Sequence, residues 1–254
     1  MISRADFIDL MSGVYDFVDS RTRSKVAEII QLCEKYRHLA ERFTFDRDGD
    51  LDSQVNDILI GLSDLILGEM EAKIERFTRE EDKDAVLLYV GRETGGESPV
   101  AAMDRYCSHL KYLLEGWIAI GFAGRMTGGK VLSEMFAHLR DSYETSLWKE
   151  AFRKGGYESQ IIAEGGYRYG KGILASPVEG MTLVGQNMLN EAYQYGTMLG
   201  YRRRGALGYR VHRGSTYDCP VCDALCIGIH PVTEICLPAH PRCCCWTTPV
   251  FGEV

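Results

Sequence analysis

The stretch from Asp218 to Trp246, DCPVCDALCIGIHPVTEICLPAHPRCCCW, holds seven of the chain's nine cysteines and two of its six histidines within 29 residues. So many soft ligands in so short a segment allow three kinds of structure: a metal site, a disulfide framework, or a cluster of reduced thiols. The opening residues, MISRADFIDLMSGVYDF, interrupt their apolar positions with Asp6 and Asp9, unlike a secretory signal. The longest apolar run, Trp117 to Ala123, is far shorter than the roughly 20 residues that span a bilayer. A soluble chain in a reducing compartment is therefore expected, and there dense cysteines mark metal binding more often than disulfides.

The spacing sharpens this. Cys219 and Cys222 form C-x2-C, seventeen residues separate Cys222 from His240, and His240 to Cys243 repeats the x2 interval. Each tight pair presents two ligands from one short turn, so only the long connection has to close to complete a tetrahedron. Three thiolates and an imidazole suit a structural Zn2+ with all four positions filled by protein. Cys219, Cys222, His240 and Cys243 are the candidate ligands, with Cys245 as the alternative to Cys243. Cys226, Cys236, Cys244 and His230 lie near in sequence, and metal-free thiols, two ions or an iron–sulfur centre remain open. Such an ion binds with about 10 kcal/mol or more at neutral pH, enough to fold a tail that has few large apolar residues.

The rest of the chain reads as mainly α, a helical bundle-like region with a small zinc-stabilised α+β module at its C-terminus. Apolar residues recur at three–four spacing in Val26, Ile29, Cys33, Tyr36, Ala40 and Phe43, and again in Val55, Leu59, Leu62, Ile66, Met70, Ile74 and Phe77. Ser98 and Pro99 open a third helix with the stripe Met103, Cys107, Leu110, Leu114, Trp117 and Gly121, and a fourth is expected from about Lys130 to Phe152. These helices make an expected domain over 1–154, in which Cys33 and Cys107 are small buried hydrophobes. Eight glycines between Gly155 and Gly185 predict a loop or arm over 155–181 that is mobile or contacts a partner. Helical pattern resumes near Thr182 and runs to Arg204. A strand follows, with Leu207, Tyr209 and Val211 alternating, so that 182–254 forms the C-terminal module.

Net charge is −7, which disfavours a wholly nucleic-acid-binding surface. Yet Arg202, Arg203, Arg204, Arg210 and Arg213 crowd 13 residues that contain no acid. They form a candidate partner- or nucleic-acid-binding patch, although the negative end of a helix dipole attracts three of them by itself. Catalytic signatures are missing: neither H-E-x-x-H, nor H-x-E with a later P-C-x-x-C, nor G-x-S-x-G, nor a G-x-x-x-x-G-K-[ST] loop occurs. Residues 205–254 contain no asparagine, against a His-Asn-His nuclease. DRDGDLDSQVND, residues 46–57, has acids at calcium-loop positions but Leu51 where glycine is required and Asp57 where glutamate is, so it reads as a helix cap.

The sequence AYQYG (192–196), then GYRVHRG (208–214), DCPVCDALCIG (218–228) and HPRCCC (240–245), follows the order of motifs at the end of Mu F-like phage minor head proteins. The chain resembles that head-morphogenesis family over about residues 182–250. It departs from the family at 186–188, where QNM stands in place of the usual R-T-E, so no role for an Arg–Glu pair carries over. The resemblance implies a non-enzymatic virion component found in the phage head and the host cytoplasm. Its implied partners are portal and capsid proteins and non-specifically held DNA, without a membrane, in an oligomeric assembly. The rival expectations are a zinc-dependent nucleic-acid-binding regulator and a zinc hydrolase using Glu234 as base.

Overall fold

Three helix starts follow from local chemistry. The Ser3 hydroxyl accepts from the Asp6 amide at 3.2 Å to open α1 (Arg4–Cys33), and the Asp48 carboxylate accepts from the amides of Asp50 and Leu51 to open α2 (Gly49–Phe77). Ser98 accepts from the Ala101 amide, and Pro99 leads α4 (Pro99–Ala123), as the sequence predicts. The short α3 (Lys83–Val90) lies between them, and α5 (Gly128–Thr145) follows. The computed structural model describes residues 2–93, 97–145, 176–214, 219–240 and 243–252. The expected end of the fourth helix and most of the glycine-rich segment lie outside these residues.

The apolar stripes are the core. Every residue of the α2 stripe from Val55 to Phe77 is buried, as are Met103, Cys107, Leu110 and Leu114 of α4. Cys33 and Cys107 sit in this core, and burial pushes each thiol up to about 12. The stripe that begins at Val26 is helical only to Cys33. A 3-10 segment, Glu34–Arg42, follows, and Ala40 has φ 49°, so Tyr36 and Ala40 leave the buried face. In the acidic 46–57 segment, Asp48 is the α2 cap and Asp52 pairs with Lys111, which agrees with its reading as a helix cap.

The helix α6 (Pro177–Arg203) begins five residues before the expected Thr182, so residues assigned to the arm through 181 are helical from Pro177. Glycine is used here for close approach rather than to break the helix. A Cβ on Gly180 would stand 2.1 Å from the Tyr106 ring, and one on Gly185 would meet Met70 and Val14 at 3.1 and 3.2 Å. α6 packs on α1, α2, α3 and α4. Val178, Met181, Val184, Met188, Leu189 and Ala192 join the main core, whereas Met198 and Tyr201 join a second one. A single helix thus serves both cores.

The second core belongs to a three-stranded antiparallel sheet, in the order β2-β1-β3: β1 (Gly208–His212), β2 (His230–Pro231) and β3 (Trp246–Val250). Tyr209 of β1 lies opposite His230 on one side and Pro249 on the other. Tyr209 and Val211 point inward, but Leu207 precedes the strand and is 55% exposed, so the predicted alternation holds for two of its three residues. A short helix α7 (Pro220–Leu225) lies between β1 and β2. Four of the ten buried members of this second core are cysteines, which pack beside Met198, Tyr201, Tyr209, Val211 and Leu237. Among the described residues, no helix is long and apolar enough to cross a membrane.

Candidate metal centre

All nine cysteines are free thiols. Cys219 is the N-cap of α7 with extended backbone, and Pro220 takes the first helical position, which turns the chain sharply. The Cys222 amide donates to the Cys219 sulfur at 3.4 Å, so the C-x2-C turn aims both sulfurs inward. The second x2 turn closes with the Cys243 amide on the His240 carbonyl at 3.1 Å.

The two turns face each other. His240 Nε2 lies 3.5 Å from Cys219 Sγ and 3.1 Å from Cys222 Sγ, and Cys222 Sγ lies 3.9 Å from Cys243 Sγ. Around a tetrahedral zinc, two sulfurs stand about 3.8 Å apart and a sulfur and a nitrogen about 3.6 Å. Two of the three separations match within about 0.1 Å, and the third is a few tenths of an ångström short. Two triads fall within 4.8 Å, Cys219–Cys222–His240 and Cys222–Cys243–Cys245, all buried, and Cys222 belongs to both. The predicted ligands and the predicted alternative therefore fall in two adjoining triads joined at Cys222.

The electrostatics of this volume favour a cation. Hydrogen bonds with Cys243 and Cys245, together with burial, drive the Cys222 thiol far above its usual range. Cys245 moves the other way. Hydrogen bonds from Cys222 and Cys243 outweigh its burial, and the Gly214 amide and the Arg213 guanidinium add to them, holding its thiol well below the usual range. Burial opposes ionising Cys222, Cys243 and Cys245 together, so a set of thiolates here requires positive charge among them. A divalent ion with thiolate preference supplies it, and the donor set fits zinc.

Side chains from outside the cysteine segment hold the ligand loop. Asn190 of α6 donates to the Cys243 carbonyl at 2.9 Å, Gln194 one turn later donates to the Cys245 carbonyl at 3.2 Å, and Arg4 donates to the Cys244 carbonyl at 3.2 Å. Gly214 runs against this loop so closely that a Cβ there would stand 1.8 Å from the Cys244 oxygen. Sequence reasoning missed all four. The only sign of the first two was a pair of amides four residues apart, on a helix that also carries Gln186 and Asn187.

The remaining candidates fall elsewhere. His230 Nε2 lies 2.7 Å from the Leu225 carbonyl and its ring stacks on Tyr209, Cys236 meets the Tyr209 hydroxyl, and Cys244 is exposed. Glu234 is exposed, and among the described residues neither donor triad includes a carboxylate. The five arginines do not form one free patch. Arg203 makes two bonds to Asp82, at 2.5 and 2.6 Å, and Arg213 pairs with Asp223 and donates to the Cys219 carbonyl. Arg202 donates to the Val232 carbonyl, and Arg204 lies over the Tyr201 ring and donates to the Gly200 carbonyl. Arg210 projects from β1 and is exposed. Compared with models of protein families, with curated proteins and with solved structures, the chain gives no match.

Proposed function

We propose that the chain is a phage minor head protein, a non-enzymatic head-morphogenesis factor whose C-terminal module is fastened by one structural Zn2+. The observation that carries this reading is the meeting of the CP-x-C and HP-x-C turns, the most specific part of the resemblance, in two buried donor triads that share Cys222. Cys219, Cys222 and His240, with Cys243 or Cys245, would hold the ion. When bound, it supplies a cross-link that fixes two loops and neutralises their thiolates.

Four protein donors leave no coordination position for water, which supports a structural ion over a hydrolytic one. In this reading the rigid module joins a portal or capsid assembly in the virion head. Arg202, Arg204 and Arg210 provide its basic fringe toward an acidic protein surface or packaged DNA. The pairing of Arg203 with Asp82 and of Arg213 with Asp223 weighs against the DNA-binding regulator.

Quantitative mass spectrometry of particles purified from a host carrying this gene tests the assembly role. The expected result is the chain at a few copies beside an abundant capsid protein. Its absence from both mature particles and assembly intermediates would overturn the reading.

A further inference from the structure

We infer that the centre carries one more thiolate ligand than its ion uses, so that Cys243 and Cys245 are interchangeable fourth ligands of a single zinc ion. This rests on the zinc reading above and adds to it the identity and redundancy of the closing ligand.

The two residues are prepared alike. Both are buried, and both sulfurs lie within 4.8 Å of the Cys222 sulfur. Each has its own backbone anchor from α6, Asn190 on the Cys243 carbonyl and Gln194 on the Cys245 carbonyl. Cys244, between them, turns outward and is exposed, as alternation along an extended chain requires. A dedicated ligand beside a passive neighbour would not need this duplicated support.

One tetrahedral ion takes four of the five donors, Cys219, Cys222, His240, Cys243 and Cys245. The fifth stays beside it as a hydrogen-bonded thiol. Exchange between the two then requires only a proton transfer from the incoming thiol to the outgoing thiolate, with no change in net charge or oxidation state. A site of this kind keeps its ion when either sulfur is lost.

The test uses the full chain with Zn2+ or Co2+ alone as probe, and reads stoichiometry, competition affinity and the visible bands of tetrahedral thiolate-bound Co2+. Cys243→Ser and Cys245→Ser should each retain one equivalent and a tetrahedral spectrum, with affinity lowered no more than about 10- to 100-fold. The double variant should lose the tetrahedral spectrum, and Cys244→Ser should behave as wild type. The helix signal in circular dichroism shows whether the body stays folded when the module does not. Loss of the ion in one single variant, with or without unfolding of the module, while the other is unaffected would establish a fixed ligand and overturn the inference. Two equivalents in the wild type would overturn it in favour of a bridged pair of ions. A wild-type chain that takes up neither metal would instead remove the zinc reading itself.

Discussion

Asn190, buried at the middle of α6, donates its side-chain amide to the carbonyl of Cys243 at 2.9 Å, 53 residues away in sequence. One helical turn on, Gln194 does the same for Cys245. The helix that threads the main core thus also fixes the backbone of the ligand loop, and so the positions of two sulfurs. Any metal held by the loop would be coupled, through these two amides, to docking of the module on the helical body.

Asn190→Ala is expected to leave a buried carbonyl unpaired, at about 1–3 kcal/mol. It should also weaken zinc by about tenfold or more through the loosened ligand loop. Urea unfolding monitored with and without zinc separates the two effects. A variant with lowered stability but unchanged zinc affinity would show that the amide supports packing only.

Gly180→Ala should destabilise the chain by about 1–3 kcal/mol, because the new methyl meets the Tyr106 ring at 2.1 Å. Gly13, in the middle of α1, has nothing within 4 Å of such a methyl, so Gly13→Ala should stabilise by about 0.5–1 kcal/mol. Thermal melts of the pair would read opposite signs, and equal effects would refute the close packing of α6 on α4.

Arg203→Ala should cost about 1–3 kcal/mol by stranding Asp82, whose side chain is only 9% exposed. Arg210→Ala should change stability by less than about 0.5 kcal/mol. If the module binds polyanions, Arg210→Ala should lower the salt dependence of binding while leaving the fold intact. Denaturant midpoints together with a salt titration of binding check both halves.

Cys33 and Cys107 should resist thiol reagents in the folded chain. With each thiol at about 12, the thiolate fraction at pH 8 is about one in ten thousand, and both groups are buried. The sign for stability follows. Between about pH 9 and 12 the unfolded chain releases these protons while the folded chain keeps them, so the two thiols make stability fall as pH rises through that window. Reagent titration at pH 8 should find Cys244 reactive at once, the metal-centre thiols only after chelation, and Cys33 and Cys107 only on unfolding.

The helical architecture was legible because periodic burial leaves a direct trace. The stripes from Val55 to Phe77 and from Met103 to Leu114 are buried residue for residue. The closeness of Cys219, Cys222 and His240 was legible because two short C-x2-C and H-x2-C turns constrain their own geometry. Gly180 and Gly185 misled because glycine has two uses, turning a chain and admitting a neighbour, and only the facing Tyr106, Met70 and Val14 distinguish them. The ion pair of one member of the arginine cluster was hidden for a related reason: Asp82 is 121 residues from Arg203, so its claim on that side chain has no local signature. Asn190 and Gln194 were invisible because their partners are main-chain carbonyls, which every sequence supplies equally.

The most direct measurement of the central claim is the metal content of the purified full chain, followed by chelation under hydrogen exchange. One zinc per chain is expected, and its removal should abolish protection of β1, α7 and β3 while α1, α2 and α4 stay protected. Full protection of the module with no ion bound would contradict the account.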